Sequence, residues 1–354
     1  MKSNAKGGEP GESVAERLTQ LNPSKILAFT MAEILLSLTI IGVVAAITLP
    51  SLTGNINERT WNTQRKALYA RFSQAIALMP ALNGYGTLRE ETDSAGSTSI
   101  EDTAAETFIT AGLSKVIKMN NICDNAHLED CGIPANITNL AGSKTTFPLT
   151  LNELNAKNTS ALVNFTDSYS KGISLIDSKA AAFETGNGES IAVFYNPYCV
   201  ALTERIEVFV QNKFCANFIY DLNGNKGPNT LGKDMGVMTA FYPSDGVVAA
   251  PIPDTQDAVA SVASKDIGGV CKQRDENYRL PSKEELASLF INKNLIGNME
   301  KSHYWTSSVS SSLENGSSVG KYNYTQNHWY INYTEGMLHN DSAIENLSVR
   351  CVKR

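Results

Sequence analysis

The chain has 354 residues, more than one average domain, and its 42% hydrophobic content is ample for a buried core. Its 30 basic and 36 acidic side chains leave a net charge of −6, which argues against nucleic acid as a main partner. Six cysteines and four scattered histidines, without a Cys-x-x-Cys pair, argue against a zinc site and for disulfides in an oxidising compartment.

Residues 1–28 are polar, with Lys2, Lys6, Arg17 and Lys25 against Glu9, Glu12 and Glu16. They lack the apolar core and small-residue cleavage site of an ordinary secretory signal. Their basic residues favour a cytoplasmic location. Next comes Lys25-Ile-Leu-Ala-Phe-Thr-Met-Ala-Glu33 and then an apolar run from Ile34 to Leu49. An acid at the mouth of such a run is expensive in a bilayer, so it needs a partner or a task. We read one long helix over 29–82. Its first part, 29–52, reaches the length of a membrane span once Phe29–Ala32 and Ser51-Leu52 are added. Pro50 removes a backbone hydrogen bond there and predicts a bend. Beyond it Leu68, Phe72, Ala75 and Met79 recur at helical spacing and predict a stripe lying under a sheet. Pro80 and Asn83-Gly84 end the helix.

Residues 86–101 read as a loop, and Asp102–Met119 as a second amphipathic helix with Phe108, Ile109, Leu113, Val116 and Ile117 on one face. Strands are predicted at Ile173–Ile176, Ser190–Tyr195, Ile206–Val210 and Asn217–Tyr220, with further strand edges at Gly232–Met235 and Gly246–Val248. Asp221-Leu-Asn-Gly-Asn-Lys-Gly-Pro-Asn229 is a dense turn signal between them. Ala249-Ala-Pro-Ile-Pro-Asp254 marks a joint, which places a globular α+β domain at 83–250, a linker at 251–265 and a last module at 266–354. Six cysteines allow 15 pairings; nearest neighbours and domain ends select Cys123–Cys131, Cys199–Cys215 and Cys271–Cys351. The fold class expected is α+β, a long amino-terminal helix packed on an antiparallel sheet followed by a second α+β domain.

Asp221, Asn223 and Asn225 alternate as oxygen ligands do in a calcium loop. An EF-hand needs glycine where Lys226 stands and a bidentate glutamate where Gly232 stands, so the loop is not one. A turn held by Asx hydrogen bonds is the competing reading. Near the carboxy end Tyr278-Arg-Leu-Pro-Ser-Lys-Glu-Glu-Leu286 opens a short helix, with Ser282 and Glu285 as a capping box. Tyr304-Trp-Thr-Ser-Ser308, His328-Trp-Tyr-Ile-Asn-Tyr-Thr-Glu-Gly336 and Ser348-Val-Arg-Cys-Val352 follow. No Gly-x-Ser-x-Gly elbow, His-Glu-x-x-His or phosphate loop is present, so no enzymatic activity and no cofactor are expected.

The segment around Glu33 resembles the amino terminus of type IV prepilins and of type II secretion pseudopilins. That resemblance implies cleavage by a prepilin peptidase between Ala28 and Phe29, N-methylation of Phe29, and pairing of Glu33, fifth in the mature chain, with the new amino terminus of a neighbouring subunit. The residue before the cut is glycine in the family and Ala28 here. The four carboxy-terminal motifs together resemble a bacterial C-type-lectin-like module spanning about 268–354. That resemblance implies a Cys271–Cys351 frame and an adhesive surface. The binding candidates are Tyr304, Trp305, Asn327, His328, Trp329 and Tyr330, although Trp305 and Trp329 sit within the fixed motifs and read first as core, with the Ser-, Asn- and Gly-rich stretch Ser310 to Asn327 the better source of ligand contacts. Residues 265–354 carry 11 basic and 10 acidic side chains, a balance that argues against a polyanionic ligand. The resulting expectation is a minor pilin, sparse or at the tip of its filament. It would be inserted in a bacterial inner membrane as a single-pass precursor with a cytoplasmic amino terminus, and would present a module to a glycan or a surface protein. A secretion pseudopilin that engages cargo in the periplasm, or an anchored surface protein that never polymerises, are the alternatives.

Overall fold

The computed structural model describes residues 30–83, 98–155, 178–196, 208–209, 214–241, 247–249, 259–263, 267–274, 276–297, 299, 303–314, 323–332, 337–339 and 346–353. Two compact units divide after Asn57: Met1–Asn57 and Glu58–Arg354. The chain is mixed α+β with predominantly antiparallel sheets.

Helix α1 (Met31–Asn83) is followed by α2 (Thr98–Thr107) and by strands β1 (Met119–Cys123), β2 (Asn136–Thr138) and β3 (Lys144–Thr146). After the single helical turn α3 (Leu151–Leu154) come β4 (Ala181–Thr185), β5 (Ser190–Tyr195), β6 (Val208–Phe209), β7 (Phe214–Asp221), β8 (Met235–Phe241) and β9 (Val247–Ala249). The remainder holds β10 (Val259–Ala263), α4 (Ile267–Arg274), β11 (Tyr278–Arg279), α5 (Lys283–Ile291), α6 (Lys293–Ile296), β12 (His303–Glu314), β13 (Asn323–Asn332), β14 (Met337–His339), β15 (Asn346–Val349) and β16 (Val352–Lys353).

In the second unit a six-stranded sheet runs β1-β4-β5-β7-β8-β9. All its pairings are antiparallel. On one face lies the part of α1 beyond Glu58. Leu68, Phe72, Ile76 and Met79 are buried there with Phe183, Phe218 and Met238. Phe72 meets Phe218 edge-on at 5.2 Å, and Phe108 stacks on Tyr195 at 4.3 Å. The opposite face carries α5, through Leu286, Leu289 and Phe290 beside Phe194 and Ile219. Covering both faces explains why every residue of β5 is buried. It also explains why its sequence is a continuous apolar run and not an alternation. A polar bridge crosses the second interface. Asn217 and Asn292 exchange two amide hydrogen bonds of 2.9 Å, and the Thr239 hydroxyl donates to Asn217 Oδ1 at 2.8 Å.

The second sheet runs β10-β15-β12-β13-β14-β6. Its β12–β15 neighbours are parallel. Within the range 251–265 read as a linker, Val259–Ala263 forms β10 and pairs with β15. The strand expected at 206–210 is the two-residue β6. It belongs to this second sheet, paired with β14, and not to the first. Where one helix was predicted over 102–119, the helix starts at Thr98, widens into a π-turn at Phe108–Gly112 and then tightens into a 3-10 turn at Leu113–Lys115. Then Met119 opens β1. Gly112 marks the cause: a side chain there would strike the Met79 methyl of α1, 2.7 Å from the added carbon. Close approach to α1 reshapes the helix there.

Cys123–Cys131 and Cys271–Cys351 are disulfide-bonded. Cys215 is buried in β7; its expected partner Cys199 and the strand expected at 173–176 lie outside the described residues.

One tight contact yields a stability test. The Tyr220 ring and hydroxyl lie over Gly236, where an added Cβ would collide with them. Burial pushes the Tyr220 hydroxyl up to about 12, against the pull of Arg65. Gly236→Ala should cost about 1–3 kcal/mol through overpacking. Thermal unfolding should read a midpoint drop of at least ~2 °C; an unchanged midpoint would mean that Tyr220 moves aside freely.

Candidate functional site

Thr30 and Glu33 open α1 together. The Thr30 backbone N–H and hydroxyl donate to Glu33 Oε2 at 2.9 and 3.0 Å, and the Glu33 N–H donates to Thr30 Oγ1 at 3.3 Å. This is a reciprocal capping box, and it places an acid in the first turn, where the helix dipole favours it. The Thr-x-x-Glu spacing that would have revealed it is plain in the sequence. Just beyond, Leu35, Leu36, Leu38, Ile40, Ile41, Val43 and Val44 are all more than half exposed, up to 62% for Leu36 and Ile41. They point in every direction around the helix, so no single face can bury them; only surroundings on all sides can. Among the described residues no helix is long and apolar enough to cross a membrane. The expected span 29–52 runs past Ala46, where the described side chains stop until Glu58. Pro50 lies within α1, but its side chain, and Ala28 and Phe29 entirely, lie outside the described residues.

The carboxy-terminal motifs come together in space. Ser282 and Glu285 form the expected capping box at the start of α5. Arg279 grips Glu285 with two hydrogen bonds of 2.7 and 2.6 Å, which holds its guanidinium above its ordinary pKa. Pro281 O accepts the Ser307 N–H at 2.8 Å, and the Lys283 N–H donates to Ser308 Oγ at 3.0 Å, so the first motif is stitched to the second. Tyr304 registers with Ser348 and Arg279 with Val352, which brings in the last.

This assembly corrects three of the binding candidates. Tyr304, Trp305 and Tyr330 are buried, with Trp305 1% exposed. Trp305 packs with Leu280, Val349 and Cys351 and meets Tyr330 edge-on at 5.8 Å. A sugar ring cannot stack on them, because the apolar strand faces turn inward. Trp329 is half-buried, with Lys283 Nζ 5.2 Å from its ring centroid. Asn327 and His328 take their places in β13 opposite Ser310 and Val309; their side chains lie outside the described residues.

The turn Asp221–Asn229 joins β7 to β8. Asp221 is fully buried. Its Oδ1 accepts the Asn223 N–H at 3.1 Å. Burial pushes its carboxyl up to about 7; the Asn223 N–H pulls the other way and the charge of Asp234 adds to the rise. Asp234, also buried, accepts the N–H groups of Asn229 and Thr230, both at 2.8 Å. Asn223 spans the turn by donating to Gly227 O at 2.8 Å. Asn225 is exposed and accepts from the Asn229 amide at 3.4 Å. Arg65 of α1 fastens the loop by donating to Gly232 O at 3.1 Å and Lys233 O at 2.6 Å. The 167 and 168 positions that separate Arg65 from these carbonyls hide its role in the sequence. Among the described residues no group of three or more His, Cys, Asp or Glu could hold a metal ion; the donors in this loop are two aspartates and several amides.

No protein-family model, no characterised protein and no solved structure matches this chain.

Proposed function

We propose that this chain is a filament subunit of the type IV pilin class, sparse or terminal in its filament, with a carboxy-terminal module that presents a binding surface. The observation that carries this reading is the apolar stretch from Ile34 to Val44, exposed all round, with a single acid at its mouth. A bilayer before assembly, and neighbouring stems after it, would each bury that stretch. In the filament Glu33 would exchange Thr30 for the positive amino terminus of an adjoining copy, created by cleavage before Phe29. Half-buried Trp329 with Lys283 is the described aromatic position nearest the binding role. Filaments sheared from cells should contain the chain, detected by an antibody against it.

A second reading rests on the Thr30–Glu33 box. Because Thr30 already satisfies the carboxylate, Glu33 needs no neighbour, and the chain would be an anchored protein that never polymerises. Absence from sheared filaments, with full recovery in the membrane fraction, would favour it.

A further inference from the structure

The part of α1 beyond the stem is charged against the trend of the chain. From Arg59 to Asn83 it carries four cations, Arg59, Arg65, Lys66 and Arg71, and no acid, in a protein of net charge −6. Two of the four are committed within the fold. Arg71 pairs with Glu189, and Arg65 donates to the carbonyls of Gly232 and Lys233. Arg59 and Lys66 are exposed. Two helical turns apart, they stand on one face of α1.

The β7–β8 loop adds to this group. The Arg65 bonds hold it against the helix beside Lys66. Lys226 and Lys233 of the loop are exposed. Its acids turn inward: Asp221 and Asp234 are fully buried and accept backbone N–H groups of the loop. The turn whose Gly132 lies against Gly224 carries the exposed acids Glu129 and Asp130. That turn packs through Leu128 and Cys131 into the core on the α5 face of the sheet, not the α1 face. Among the described residues no ion pair engages Arg59, Lys66, Lys226 or Lys233. A cationic surface remains, with Glu58 as the exposed acid next to it in α1.

Position in the chain identifies the partner. The second unit starts at Glu58, directly after the stem, so Arg59 and Lys66 are among the first charges beyond it. With the amino terminus in the cytoplasm they lie across the membrane, where basic residues work against insertion and so ask for a compensating contact. Half-buried Trp61 stands between Arg59 and Arg65 in the helix, a residue type that settles at headgroup level. We propose that Arg59, Lys66, Lys226 and Lys233 form a seat for the phosphate groups of anionic phospholipids in the bilayer that holds the stem before assembly. The inference rests on the membrane-stem reading above. Each Lys or Arg brought to an anionic surface adds to the attraction, and salt screens all of them. The contact keeps the second unit on its bilayer until a filament draws it away.

The test uses the full chain reconstituted in vesicles of phosphatidylcholine, alone or with about one third phosphatidylglycerol to make the surface anionic. Flotation with both kinds of vesicle comes first. An impermeant amine-acylating reagent then labels surface lysines, which mass spectrometry reads one by one. Labelling of Lys66, Lys226 and Lys233 should fall roughly threefold or more in the phosphatidylglycerol vesicles, and about 0.5 M sodium chloride should restore it. Exposed Lys272 and Lys353 should label alike in both. Arg59→Glu combined with Lys233→Glu should remove the protection of Lys66 and Lys226 without moving the thermal midpoint. A chain that floats with both vesicles yet labels equally in them overturns the seat and leaves the stem reading standing; a chain that floats with neither overturns both. Protection that grows with protein density and ignores the lipid would mean contact between copies, and would also overturn the seat.

Discussion

Glu33→Gln should lower the amount of this chain in sheared filaments by about two orders of magnitude while its level in the membrane stays unchanged. Glutamine is accepted at this position of a capping box, so the variant keeps the bonds to Thr30 and the start of α1. It removes only the charge. If that charge answers a neighbour's amino terminus in an apolar bundle, its loss leaves a buried cation without a partner, at about 3–5 kcal/mol. Thr30→Ala is the matched control. It deletes the cap oxygen, costs about 1 kcal/mol of helix stability, and should leave incorporation nearly intact. The opposite pattern, with Glu33→Gln harmless and Thr30→Ala damaging, would reduce Glu33 to a helix cap and favour the anchored, non-polymerising reading.

Trp305→Ala should unfold the second sheet or bring it close to unfolding. Trp305 is among the largest fully buried side chains, and truncating such a residue costs about 3–5 kcal/mol. A midpoint drop of roughly 6–20 °C follows for a body of this size. Trp329→Ala, at a half-buried position, should cost far less stability. Binding to any glycan or protein ligand should respond in the reverse order once folding is accounted for, with Trp329→Ala weakening it directly. A Trp305→Ala chain that melts like the wild type but loses binding would return Trp305 to the surface and overturn the core assignment.

These two experiments mark what could and could not be read from the chain. The apolar run at β5, the stripe Leu68–Met79 and the Ser282–Glu285 box rest on local spacing, and local spacing is what a sequence displays. The Thr30–Glu33 box is equally local, but it shares its residues with the membrane-edge signature and was masked by it. Other features depend on partners far away in sequence. The π-turn at Phe108–Gly112 answers Met79, β6 finds its neighbour in β14, and Arg65 reaches carbonyls 167 and 168 positions on. In the β7–β8 loop, the place of Asp234 near Asp221 is set by strand pairing and not by any motif. Three of the aromatic candidates were misplaced for a related reason: Tyr304 and Trp305 are consecutive and point to opposite faces of β12, yet each is buried in a different core, and Tyr330 is buried with Trp305. A strand covered on both faces has no alternation that would tell core from surface.

The most direct measurement is the intact mass and first residue of the chain purified from cells that contain a working prepilin peptidase. Processing to a methylated Phe29 supplies the positive group that the stem's only acid is proposed to meet. A polypeptide that still starts at Met1 under those conditions would leave Glu33 with nothing but Thr30, and the assembly mechanism would be wrong.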